Sequence, residues 1–189
     1  MCRPGFVLCI AKGPTKKRRP FSYEHEKSLN VRELTRAALI AAIYCVVTIL
    51  WPFSFGSIQV RISEALTLLP VLFPAAIPGV SVGCMLAGIL TGAPWFDWLF
   101  GSLTTLTAAL LTRKYHKPIW VAAVWPTLLN AVITGAIVHF AYVDNPTLSL
   151  LPLTMLSVGA GEAIACFGLG LPLLLLLRKT GLFGFMKKG

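Results

Sequence analysis

The chain has 189 residues, is 56% hydrophobic and only 13% charged, and has a mean hydropathy of +0.76. A soluble domain carries roughly a quarter charged residues, and seven acidic side chains cannot solvate a water-soluble fold of this length. The composition excludes a soluble enzyme and makes lipid the simplest solvent.

In chain order, residues 1–31 read as a polar cytoplasmic tail. Its basic run Lys16-Lys17-Arg18-Arg19 follows a short apolar stretch instead of preceding it, so this is not a signal-peptide pattern. A first helix is expected from about Arg32 to Trp51, closed by Pro52. The stretch 52–63 is too polar to span. A short second helix is expected over about Glu64 to Pro74, extending at most to Ile77, and a Pro-Gly turn then leads to a third, about Gly79 to Leu90. A fourth is expected from about Asp97 to Thr112 and a fifth from about Pro118 to Tyr142, broken by Val143-Asp-Asn-Pro146. The sixth runs from about Leu148 to Leu177. Residues 32–180 are thus the membrane domain and 181–189 a cytoplasmic C-terminal tail. A bilayer core takes about 20 helical residues, so helices two to four are short. Short spans beside a polar loop are what a binding cavity tends to look like.

Charge fixes the expected topology. The seventeen Lys and Arg residues lie in a block from Arg3 to Arg36, at Arg61, at Arg113, Lys114 and Lys117, and at Arg178, Lys179, Lys187 and Lys188. With a cytoplasmic N-terminus, six spans place all but Arg61 inside, as the positive-inside rule requires. The expectation is an all-α membrane protein, a bundle of six transmembrane helices with both termini cytoplasmic. The same layout accounts for the pI near 9.8 without a nucleic acid partner.

The five cysteines show no CxxC and no Cys/His spacing, so neither a disulfide, a metal nor a cofactor is expected. No GxxxxGK[ST] run is present, hence no ATP site of the chain's own. His25, His116 and His139 are scattered, and no HExxH or GxSxG occurs, so no catalytic residue is assigned.

Two kinds of feature are informative. Ala37-x-x-x-Ala41 and Ala38-x-x-x-Ala42 on helix one, and Gly79-x-x-x-Gly83-x-x-x-Ala87 on helix three, form flat stripes. Such stripes serve either internal packing or the docking of a second protein. Intramembrane ionisable groups face a cavity or a partner, because charge in hydrocarbon is costly. Glu162 and Asn130 fall at one depth near the membrane middle, given a rise of about 1.5 Å per residue. Thr127, Asn130 and Thr134 share one helical face, and Gly159, Glu162 and Cys166 another. If these faces meet, they enclose a small polar pocket. Glu162 is then either a ligand-binding group or a structural hydrogen-bond partner. Asp97 either caps its helix or belongs to the site. Arg61 and Glu64 form either a local ion pair or part of a lid. Trp98, with Trp95 and Phe96, is either an interfacial anchor or a stacking surface for a planar ligand.

The runs Val60-Arg-Ile-Ser-Glu-Ala-Leu-Thr-Leu-Leu-Pro70, Ala76-Ile-Pro-Gly79, Gly83-Cys84 and Phe96-Asp-Trp-Leu-Phe-Gly-Ser-Leu-Thr-Thr-Leu106 resemble the QueT family. The resemblance covers about residues 32–180. It implies the substrate-binding S component of an energy-coupling factor (ECF) importer in the bacterial plasma membrane. Such a component works with a membrane coupling protein and two ATPases, which hydrolyse the ATP. The implied ligand is a queuosine precursor, a 7-deazaguanine in its 7-aminomethyl or 7-cyano form, or queuine. The resemblance also gives the stripe of Ala37, Ala38, Ala41 and Ala42 a docking role. A guanine-type edge offers two adjacent N–H donors that Glu162 can accept together. Asn130 would then read the carbonyl or ring nitrogens, and a cationic aminomethyl group would suit Asp97.

Two other classes compete. One is a stand-alone, ion-coupled secondary transporter of a small heterocyclic solute, with Glu162 as a proton site. The other is a small intramembrane enzyme, disfavoured by the missing catalytic cluster. An S component should co-purify with an ECF module, whereas a secondary carrier should transport alone in liposomes.

Overall fold

The computed structural model describes residues 31–51, 61–143 and 147–180. Among these residues every regular element is helical. Helix α1 is Val31–Leu50, followed by a 3₁₀ helix, Ile62–Val71, and then by α2, Ala76–Leu90, and α3, Trp95–Lys114. Helix α4, Val121–Tyr142, has π-helical geometry over Asn130–Thr134. Helix α5, Leu151–Lys179, has it over Ile164–Gly170. Six helical segments match the expected count. The tails expected at 1–31 and 181–189 lie outside the described residues, except for Val31.

The second element differs from expectation. It is a 3₁₀ helix that starts and stops earlier, and the segment expected as a Pro-Gly turn already belongs to α2. The reason is spatial. Ser63, Glu64, Ala65, Thr67, Leu68, Leu69 and Pro70 are all buried, so this element is enclosed by other helices and does not face lipid. It packs against all five other helices, α1 to α5. At about 2.0 Å per residue, ten residues of 3₁₀ helix reach roughly 20 Å, further than the same residues would as an α-helix. Pro70, which has no amide hydrogen, lies inside the helix; the ladder resumes past it with Leu72 N–H donating to the Leu69 carbonyl at 2.8 Å, and Arg113 Nη1 donates to the Pro70 carbonyl at 3.1 Å.

Polarity is distributed inside out. Thr48, Glu64, Thr67, Thr105, Asn130, Thr134 and Glu162 are buried, while Leu39, Leu50, Leu153 and Leu156 are at least 60% exposed. An exposed apolar surface of this extent needs a non-aqueous surround. Three of the described helices, α1, α4 and α5, are long and apolar enough to cross a membrane. Helix α3 has the length but turns Asp97, Ser102, Thr104, Thr105 and Thr112 inward.

Helices α1 and α2 are held together by missing side chains. A Cβ on Gly79 would lie 2.8 Å from the Ala37 carbonyl oxygen, and one on Gly83 would lie 2.8 Å from that of Ala41. Only glycine permits this approach. The stripe read from the sequence is therefore divided: Ala41 is buried against α2, Ala37 is half-buried, and Ala38 and Ala42 are exposed.

Candidate binding site

The 3₁₀ helix brings Glu64 to the interior, where it is completely buried. Tyr44 on α1 donates its hydroxyl to Glu64 Oε1 at 2.5 Å, and Thr105 on α3 approaches the same oxygen at 3.5 Å. The Glu64 backbone carbonyl accepts from Thr67 Oγ1 and from Cys166 Sγ, the latter at 3.7 Å. Beside it, Thr48 Oγ1 donates to Ser63 Oγ at 2.7 Å and ties the start of the 3₁₀ helix to α1.

Asn130 and Glu162 each lie at a π-helical segment, Asn130 at the first residue of one and Glu162 two residues before the other. A π turn inserts an extra residue and re-aims nearby side chains, a geometry frequent at functional sites. Thr134 Oγ1 donates to Asn130 Oδ1 at 3.0 Å, which fixes the amide and presents Nδ2 to the interior. That nitrogen faces the carboxylates of both Glu64 and Glu162 without making a hydrogen bond to either. Glu64 Oε2 and Glu162 Oε2 are likewise buried without a hydrogen-bond partner. The two faces expected to meet, from Asn130 and from Glu162, do meet. A Cβ on Gly159 would lie 2.9 Å from that of Ala131, so α4 and α5 touch at this level.

A second polar group lies alongside. Arg61 Nη2 is 3.6 Å from Asp97 Oδ1, and Tyr142 donates to Asp97 Oδ2 at 2.7 Å. Arg61 and Asp97 are both nearly inaccessible. Asp97 lies in the first turn of α3, as read from the sequence, but α3 has no side-chain cap hydrogen bond. Its Oδ2 accepts from Tyr142, while Oδ1 faces Arg61 and is buried without a hydrogen-bond partner. Arg61 makes its ion pair with Asp97 on α3 and not with Glu64. The helical turn carrying Glu64 aims that side chain at Tyr44 instead. A cavity of about 10 Å³, room for about one water, is lined by Tyr44, Thr48, Arg61, Cys84, Gly88, Asp97 and Trp98. Trp98 therefore borders the polar interior, whereas Trp95 is 64% exposed, as an interfacial anchor would be.

The structure thus brings Arg61, Glu64, Asp97, Asn130 and Glu162 into one buried neighbourhood with Trp98 at its edge. It adds Tyr44, Thr105 and Tyr142. Nothing in the sequence marked them, because a tyrosine or threonine in an apolar run reads equally well as packing. Among the described residues no group of His, Cys, Asp and Glu is arranged to hold a metal ion.

Helices that turn leucines outward and enclose ionisable side chains define a membrane protein with a polar interior, an architecture suited to a transporter. The family model described as QueT transporter matches residues 34–179, and the chain belongs to that family. The Queuosine precursor transporter QueT of Lactococcus lactis subsp. cremoris (strain MG1363) is 32% identical over 83 residues, 42% of this chain and 48% of that protein. The chain thus spans about half the length of this curated relative. No solved structure matches. The family resemblance read from the runs around Arg61, Gly79 and Asp97 is confirmed.

Proposed function

We propose that the chain is the substrate-binding S component of an ECF-type importer and captures a 7-deazaguanine precursor of queuosine from outside the cell. The observation that carries this reading is the trio Glu64, Asn130 and Glu162, whose buried polar atoms have unmade hydrogen bonds. Buried polar groups without partners are rare and costly in a finished structure. A guanine-type edge supplies what they lack: adjacent N–H donors for Glu162 and a ring carbonyl for the Asn130 amide. Trp98 offers a face on which the bicyclic ring stacks.

Both termini are cytoplasmic in this reading, by the positive-inside distribution. The protein is multi-pass in the bacterial plasma membrane. ATP is hydrolysed by two partner ATPases, joined to this chain through a transmembrane coupling protein. The exposed Ala38 and Ala42 on α1 form the docking stripe, while Ala37 and Ala41 set how closely α2 supports it.

Isothermal titration of the purified protein with a 7-deazaguanine tests the binding role. Glu162→Gln should weaken affinity about ten- to a hundredfold, because a hydrogen bond to a charged group is worth roughly 1.5–3 kcal/mol. The melting temperature without ligand should barely change. Unchanged affinity with a lowered melting temperature would make Glu162 structural. Co-purification with an ECF module tests the partnership, and ion-driven transport by the chain alone would replace it with a secondary carrier.

A further inference from the structure

Resting on the binding role above, we infer that Thr134 is a positioning residue for specificity: its hydroxyl holds the Asn130 amide in the orientation that reads a ring carbonyl, so the preference for a 6-oxo ring depends on a side chain one step behind the amide.

A threonine inside a helix commonly turns its hydroxyl to the backbone carbonyl four residues back. Thr35, Thr48, Thr91, Thr104, Thr107 and Thr127 all do so here, each at 2.8 Å. Thr134 donates instead to a side chain four residues back, Asn130 Oδ1, at 3.0 Å. The two residues bound the π-helical segment, where the Gly135 N–H meets the Asn130 carbonyl five residues back and the usual register is displaced. Helix α5 fixes this segment by close approach. A Cβ on Gly135 would lie 2.8 Å from Met155 Cα, and one on Gly159 2.9 Å from the Ala131 Cβ. Thr134 is wholly buried and Asn130 is 1% exposed, so bulk water does not compete for the amide.

An asparagine amide has an acceptor at one end and two donors at the other. Thr134 occupies Oδ1, and the end left for the interior is Nδ2, buried without a hydrogen-bond partner. That end donates and cannot accept. A ring carbonyl meets it, whereas a thiocarbonyl on the same ring keeps the neighbouring N–H groups and offers only a weak sulfur acceptor. Thr134→Val keeps the branched shape and removes the hydroxyl. Asn130 Oδ1 is then left unpaired, and the amide is free to turn about χ2, whose torsional well is broad. The carbonyl contact weakens, while a sulfur that gained little from the donor loses little.

The test is titration of full-length purified protein with 7-deazaguanine and with 6-thio-7-deazaguanine, with melting of the ligand-free protein followed in parallel. Wild type should bind the oxo compound about tenfold more tightly, and Thr134→Val should narrow that preference to about threefold or less, chiefly by weakening the oxo compound. Thr134→Ser, which keeps the hydroxyl, should restore it. A preference unchanged in Thr134→Val, equal weakening of both compounds, or no restoration by Thr134→Ser would make Thr134 a packing residue and overturn the inference. Wild type without an oxo preference would overturn carbonyl reading by the amide and leave the transport reading standing. Binding of neither compound would overturn the reading on which the inference rests. Should Thr134→Val fail to fold, Thr134→Ala makes the same comparison, and the wild-type preference is decisive on its own.

Discussion

Tyr44 on α1 and Glu64 on the 3₁₀ helix are joined by a hydrogen bond of 2.5 Å between the phenol hydroxyl and Oε1. The same turn of α1 buries Ala41 against Gly83 of α2, while Ala42 lies exposed. One short stretch of helix therefore touches the interior site, its own scaffold and the outer surface.

Tyr44→Phe removes the hydroxyl and keeps the ring. Losing a hydrogen bond to a carboxylate should cost roughly 1.5–3 kcal/mol, divided between stability and ligand affinity. Thermal melting with and without ligand measures the division. No change in either quantity would mean that Glu64 does not depend on this bond.

Ala41→Leu and Ala42→Leu should part company despite being neighbours. Leucine at 41 has no space beside Gly83 and should destabilise the protein by about 1–3 kcal/mol through overpacking. Leucine at 42 meets no packed neighbour, so melting and ligand titration should match wild type while uptake with the ECF module falls. Full uptake by the Ala42 variant would remove that face from docking.

Breaking the Arg61–Asp97 pair from one side should be costly. Arg61→Ala leaves a buried carboxylate without its guanidinium, with an expected loss of about 3–5 kcal/mol. The double variant Arg61→Met with Asp97→Leu should recover much of it, since neither charge then remains buried. A double variant no more stable than the single would show that the pair is not the main term.

Topology is testable at exposed positions. Ser149→Cys should react with an impermeant maleimide in intact cells, and Tyr115→Cys only after permeabilisation. Both sites are solvent-exposed in the structure, so burial does not confound the comparison. Ser63 is unsuitable as an outer reporter because it is buried against Thr48. The opposite labelling pattern would invert the proposed orientation.

The long helices were legible because apolar runs bounded by Pro and charge leave little freedom. Gly159, Glu162 and Cys166 share a face by helical spacing alone, and that face does meet Asn130. The 3₁₀ helix was not legible, since its residues are apolar enough for an α-helix and only enclosure by five neighbours decides its geometry. The Arg61–Asp97 pair was invisible for a related reason. An ion pair three residues away in sequence looks nearer than one thirty-six away, until the backbone direction of Glu64 is known. The π segments likewise carry no sequence signal, yet they set where Asn130 and Glu162 sit.

The enclosed 3₁₀ helix has a consequence for how the chain is made. Its ten residues are about half of what a self-sufficient span needs, and a charged side chain at mid-membrane costs roughly 2.5–3.5 kcal/mol on insertion scales. This segment, with Arg61 before it and Glu64 within it, is a poor substrate for insertion on its own. Its backbone at Glu64 is met by Cys166, 102 residues further along the chain. This segment should therefore settle only after the last helix has been synthesised, and a truncation before α5 should leave Glu64 outside the protein interior.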